Sequence, residues 1–123
     1  MDIEKQKMRG GYVLFKIRGH LIQKTGLNFV KPILREIASG ESVKIGVDMS
    51  RVGHIDSFGI GCILQCGNAM AERRGIVGEI VFLMTERLKK RLSVVGLDRL
   101  LKIEVVPDPP EEPQSVESSP SGK

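Results

Sequence analysis

Three residues within four positions of this 123-residue chain could do chemistry together: His54, Asp56 and Ser57. A serine near a histidine and an aspartate suggests a nucleophilic triad, in which the base hydrogen-bonds the nucleophile and the acid orients the base. Neighbours on one extended loop do not reach that geometry. The G-x-S-x-G elbow is also absent, because Ile55 stands where its first glycine belongs. The chain is therefore not read as an enzyme. A second chemistry is capping: Asp56 or Ser57 accepts from the N–H groups of a helix's first turn, worth about 1 kcal/mol. A third is modification. A phosphate on Ser57 adds nearly two negative charges, which the positive end of a helix tolerates and a partner docked over the same spot does not.

These chemistries require the serine to stand at a helix mouth, and the flanking residues supply one. Val43–Asp48 is mostly apolar and reads as a central strand, and Ser57–Arg74 reads as a long helix closed by Gly75. Gly59 and Gly61 fall in its first turn, where each costs about 1 kcal/mol against alanine. That cost points to a close approach to the backbone, by a packed strand or an external partner. Ile60, Ile63, Leu64 and Gly67 form one apolar face, and Phe58, Cys62 and Ala69 form a second line.

The remaining chain alternates strands and helices. Asp2–Arg9 and Tyr12–Ile17 flank Gly10-Gly11 as a hairpin, and Gly19–Gly26 reads as a loop. Val30, Ile33, Leu34 and Ile37 have helical spacing, with the regular helix expected from near Val30 and Pro32 in its first turn. Glu79–Leu83 is a further strand. Thr85 is an N-cap for a helix that turns Leu88 and Leu92 inward and exposes Arg87, Lys89, Lys90 and Arg91. Lys102–Val106 is the last short strand. The order implies an α/β fold with right-handed crossovers and a partly parallel sheet. Residues 1–106 read as one domain. Residues 107–123, rich in Pro, Ser and Glu, cannot bury apolar surface and are expected to be a disordered acidic tail.

Composition excludes several classes. No apolar run approaches the roughly 18 residues of a membrane span, and Met1–Arg9 does not resemble a signal peptide, so the expectation is a cytoplasmic protein. Cys62 and Cys66, four apart on one helix, read as small apolar residues rather than a disulfide, and His20 and His54 are not at zinc-ligand spacing. No metal or other cofactor is expected. The net charge is +4, but the tail carries −3 and residues 1–106 carry +7. The bases are scattered and a single Tyr is available for stacking, so a mixed solvated surface is favoured over direct nucleic-acid binding.

Asp48-Met49-Ser50 followed by Ile55-Asp56-Ser57-Phe58-Gly59-Ile60-Gly61 resembles the central signature of STAS domains, the anti-sigma factor antagonist family. Leu92–Leu101, with its Gly96-Leu97-Asp98 turn, resembles the family's second landmark. The resemblance spans roughly Tyr12 to Val105. It implies a single STAS-like domain, with a mixed four- to five-stranded sheet and helices mainly on one side. It also implies bacterial partner switching. The unphosphorylated antagonist binds an anti-sigma factor, which is often a serine kinase, and is released once phosphorylated at the serine corresponding to Ser57. ATP then belongs to the partner. The docking surface is expected around His20, Asp56, Phe58, Gly59, Gly61 and Cys62, on a monomer or weak dimer. A constitutive STAS adaptor, in a stress-signalling or lipid-transport complex, is the alternative. Three departures bear on the partner. Phe58 replaces a commonly small hydroxyl residue. The first loop reads Gly19-His20-Leu21-Ile22, without the family's two acids. The basic body, for its part, favours a more acidic partner surface.

Overall fold

The computed structural model describes residues 2–73 and 78–109. Among these, five strands form one sheet: β1 (Asp2–Lys7), β2 (Tyr12–Leu21), β3 (Lys44–Ile55), β4 (Glu79–Met84) and β5 (Lys102–Val105). Three helices connect them: α1 (Gly26–Ser39), α2 (Ser57–Glu72) and α3 (Glu86–Ser93). The strands lie side by side in chain order, with β1 antiparallel to β2 and every later neighbour parallel. Gly10 and Gly11, both at positive φ, make the tight turn between β1 and β2. A sheet laid down in order through right-handed crossovers puts α1, α2 and α3 on the same face.

The strand sequences show that two-sided arrangement. Val13 of β2 pairs with Ile45 of β3, which pairs with Ile80 of β4, and Phe15, Val47 and Phe82 pair likewise one step further along. All six are buried under the helices. The helices answer with Phe29, Val30, Ile33 and Ile37 from α1, Ile63 and Cys66 from α2, and Leu88 and Leu92 from α3. Alternate residues on the opposite face, such as Lys16 and Arg18, are exposed. Three of the four phenylalanines (Phe15, Phe29 and Phe82) are fully buried, each worth about 1.5–3 kcal/mol of apolar burial. The fourth, Phe58, is 39% exposed, which marks its surroundings as unusual.

One buried polar cluster fastens the sheet's edge to the helical layer. Glu36 of α1, 8% exposed, accepts from Lys5 of β1 at 2.7 Å and from the hydroxyl of Ser42 in the loop before β3. Burial alone would raise its pKa, but the hydrogen bonds from Lys5 and Ser42 outweigh it and hold the carboxyl below its ordinary value.

The structure departs from the sequence expectations in three places. Helix α1 begins at Gly26 rather than near Val30, and Pro32 lies well inside it. Burying Phe29 and Val30 requires the earlier turn to be helical. The carbonyl that Pro32 cannot serve belongs to Asn28, an exposed residue open to water. Strand β2 continues through Gly19 to Leu21, where a loop was expected, and β3 runs on to Ile55. Their pairing shifts register between Lys16 and Arg18 and again between Gly19 and Leu21, which breaks the alternation that announces a strand. Helix α2 is described to Glu72, and the expected terminator Gly75 lies outside the described residues, as does most of the expected tail, residues 110–123. No helix among the described residues is long and apolar enough to cross a membrane.

Candidate functional site

Strand β3 delivers the chain to the end of the sheet at Ile55, and one carboxylate organises the next turn. Asp56 is the N-cap of α2. Its Oδ1 accepts from the Gly59 N–H at 2.9 Å, and its Oδ2 accepts from the Gln23 N–H at 3.1 Å, in the loop leading to α1. Its own N–H donates to the Leu21 carbonyl at 3.2 Å. One residue thus caps a helix and joins the ends of β2 and β3. The Gly59 hydrogen bond, followed by that from Gln23, holds the Asp56 carboxyl below the ordinary aspartate range.

Because Asp56 takes the cap, Ser57 stands as the first helical residue, exposed to solvent. Two residues on, a Cβ at Gly59 would lie 2.2 Å from the Leu21 carbonyl oxygen. That glycine is required by the strand beneath it. A Cβ at Gly61 would meet nothing within 4 Å, so its backbone is open to the outside. The close approach expected from the glycine pair is therefore internal at Gly59 and absent at Gly61 within the chain.

Phe58 leans on the first turn of α1: a Cβ at Gly26 would lie 2.5 Å from Cε2 of its ring and 3.0 Å from the Cys62 Sγ. Phe58, next to Ser57 in the chain, and Leu27, next to Gly26, both leave apolar surface exposed, at 39% and 54%. Cys62 is buried beneath them as a free thiol, raised above its ordinary pKa by burial and then by the Asp56 charge. Cys66, deeper in the core, is pushed up to about 12, chiefly by burial. His20 and His54 stand exposed at the ends of β2 and β3, their rings 6.3 Å apart and edge to face. The Thr25 hydroxyl holds this loop by donating to the His20 carbonyl at 2.6 Å and accepting from the Ile22 N–H at 3.1 Å.

Of the residues named from sequence, Ser57, Phe58, Gly61 and His20 share this exposed end, while Gly59 and Cys62 lie below it and shape it. Asp56 is half-buried, with its carboxylate turned to backbone. Three contributors were not singled out. Arg91 of α3 donates from Nη2 to the Ile55 carbonyl at 3.2 Å, bringing a cation to the foot of the Ser57 turn. It was visible only as one of four bases on α3. Leu27 and Thr25 carried no distinguishing signal. Among the described residues, no group of three or more His, Cys, Asp or Glu is placed to hold a metal ion.

The STAS domain family profile matches residues 3–107. The chain belongs to the STAS family. Among solved structures, this STAS domain is similar to the anti-sigma factor antagonist SpoIIAA in its unphosphorylated form, at 16% identity and TM-score 0.61, covering 94% of this chain and 96% of that one. It is similar to a candidate anti-sigma factor antagonist from Thermotoga maritima, at 24% identity and TM-score 0.70, covering 82% and 84%. A sulfate transporter family protein from Wolinella succinogenes is also similar, at 16% identity and TM-score 0.64, covering 82% and 83%. These likenesses establish the fold. SpoIIAA has also been solved in a phosphorylated form. No curated protein matches the STAS chain significantly by sequence.

Proposed function

We propose that this STAS domain is an anti-sigma factor antagonist that works by partner switching, in the cytoplasm of a bacterium. Unphosphorylated, it docks an anti-sigma factor through the exposed end of the molecule, with Ser57 at the centre, Phe58 as the apolar anchor, and Gly61 and His20 at the margins. Asp56, Gly59 and Cys62 hold that surface in shape from within. Phosphorylation of Ser57 by the partner, a serine kinase, ends the complex. The observation that carries this reading is the division of labour at the helix mouth. Asp56 makes the capping hydrogen bonds, so Ser57 can accept a phosphate without giving up a cap. The added charge meets the positive end of α2 and the nearby Arg91 guanidinium, so the fold tolerates it. A docked partner presenting apolar or acidic groups does not. Incubation with the cognate kinase and ATP, followed by mass spectrometry, should place one phosphate on the peptide containing Ser57. A phosphate found elsewhere, or none, overturns the switch.

A constitutive STAS adaptor is the second reading, favoured by Phe58 beside the serine and by His20 and Ile22 in the loop where related antagonists carry acids. Under it, replacing Ser57 with either alanine or aspartate leaves partner affinity unchanged. Under the switch, aspartate weakens binding at least tenfold and alanine does not.

A further inference from the structure

The sheet ends at β1 on one side and at β5 on the other, and the two edges differ in what they present. The Val106 N–H, just past β5, donates to the Met84 carbonyl at 2.9 Å and so faces β4. Backbone groups alternate sides along a strand, so the N–H and C=O of Ile103 and Val105 face away from β4. Among the described residues no strand pairs with them. Apolar side chains gather at the same edge. Val94, Val95, Leu100 and Val105 are four of the eight large hydrophobic residues that the described part of the chain leaves exposed. Ile103 and Val105 are register partners of Phe82 and Met84, on the helix side of the sheet, while Lys102 and Glu104 point to the open side.

A strand that pairs antiparallel with its own copy about a two-fold axis, with both helical layers on one side, must set one residue opposite itself. On β5, centring on Ile103 sets Lys102 of each copy opposite Glu104 of the other, and Leu101 opposite Val105. The two ion pairs then fall on the open side and the apolar pairs on the helix side. Centring one residue earlier sets Lys102 on Lys102, and one residue later Glu104 on Glu104, and like charges directly opposite destabilise. One register is therefore selected. Edge β1 offers none. Centring on Glu4 or Lys5 opposes each to itself, centring on Ile3 opposes Asp2 and Glu4, and centring on Gln6 opposes Lys5 and Lys7. That edge is guarded against self-pairing by its charges, and β5 is not. The Lys102 ammonium also donates to Glu79 at 2.7 Å on the same open side, and its three N–H groups serve both carboxylates.

We propose that two copies of this chain join through β5, antiparallel and centred on Ile103, into one ten-stranded sheet. The two Ile103 residues exchange backbone hydrogen bonds, and each Val105 N–H meets the Leu101 carbonyl of the other copy. Such a seam is short, so the pair forms reversibly with concentration rather than permanently. The Ser57 turn follows the end of β3, and β4 lies between β3 and the seam. The pair therefore carries two Ser57 surfaces, and a partner with two matching sites gains avidity from it. The proposal stands whether or not Ser57 is phosphorylated.

Sedimentation equilibrium of the full-length chain over a concentration series should show the average mass rising from that of one chain toward that of two. Glu104→Lys sets Lys102 opposite a second lysine, and Lys102→Glu sets Glu104 opposite a second glutamate. Each variant alone should keep the mass of one chain across the same series. Both positions are exposed, so the domain should stay folded, which circular dichroism checks. An equimolar mixture of the two variants should recover the mass of two chains, because one seam is then wholly basic and the other wholly acidic. A parent chain that stays single at every concentration overturns the proposal. So does association that survives either replacement, that runs beyond two chains, or that the mixture of folded variants fails to recover.

Discussion

Asp56 and Ser57 are neighbours with separate tasks, and substitution should separate them. Asp56→Ala removes acceptors for the Gly59 and Gln23 N–H groups and should lower unfolding stability by about 1–2 kcal/mol in urea titration. Ser57→Ala and Ser57→Asp should each stay within about 0.5 kcal/mol of the parent, as for an exposed position. A larger loss at Ser57 would show that its hydroxyl supports the fold and would count against a free switch. The two glycines should diverge in the same assay. Gly59→Ala forces the Leu21 carbonyl aside and should destabilise by about 1–3 kcal/mol. Gly61→Ala should stabilise by up to about 1 kcal/mol. If Gly61 gives a partner access to backbone, that same alanine should weaken complex formation. The sequence could name both glycines as anomalous within a helix. It could not tell them apart, because what lies under Gly59 is a carbonyl 38 residues earlier in the chain.

Among the elements, α3 was the most legible. Thr85 caps it as expected by accepting from the Leu88 N–H at 3.3 Å, and Leu88 and Leu92 turn inward. Such local signals need no knowledge of the rest of the fold. The ends of β2 and β3 were hidden for the opposite reason. Their pairing is irregular, with Gly19 at φ +116°, so side-chain alternation fails where the strands approach the site. The start of α1 was misplaced because Pro32 outweighed the long-range burial of Phe29. Phe29→Ala should cost about 3–5 kcal/mol in the same unfolding assay. The junction of β1 with α1 predicts a pH dependence. Glu36 has a depressed pKa in the fold, so the unfolded chain binds more protons between the two values and stability rises with pH there. This contribution is fully present above about pH 4.3, the ordinary glutamate value, and is lost as pH falls through the folded value. In Lys5→Met the burial of Glu36 goes unopposed by that cation. Acidification from pH 5 to 3, which crosses that window, should then destabilise the variant less than the parent in thermal melts. Identical profiles would mean that Lys5 does not set the charge state of Glu36.

Across the whole molecule, charge is divided between a body at +7 and a tail at −3. The division was readable from composition, but its arrangement on the fold was not. The structure brings one base, Arg91, to the foot of the serine turn and sets two others, Arg18 and Arg51, side by side on the far face. Neither placement follows from spacing along the chain, because each pair of neighbours is joined across separate elements. A mobility-shift assay over a salt series should show no retention of nucleic acid at physiological ionic strength. Salt-sensitive retention would reopen that reading of the body.

The sheet grows by adding each strand beside the one before it, and this bears on how the protein is made. Because β1, β2, α1 and β3 all precede β4 in the chain, they can pair without waiting for β4 or β5. Each later unit docks on an edge that is waiting for it, and no strand has to be inserted between two that are already paired. Pulsed hydrogen exchange during refolding should then protect the amides of β2 and β3 ahead of those of β5.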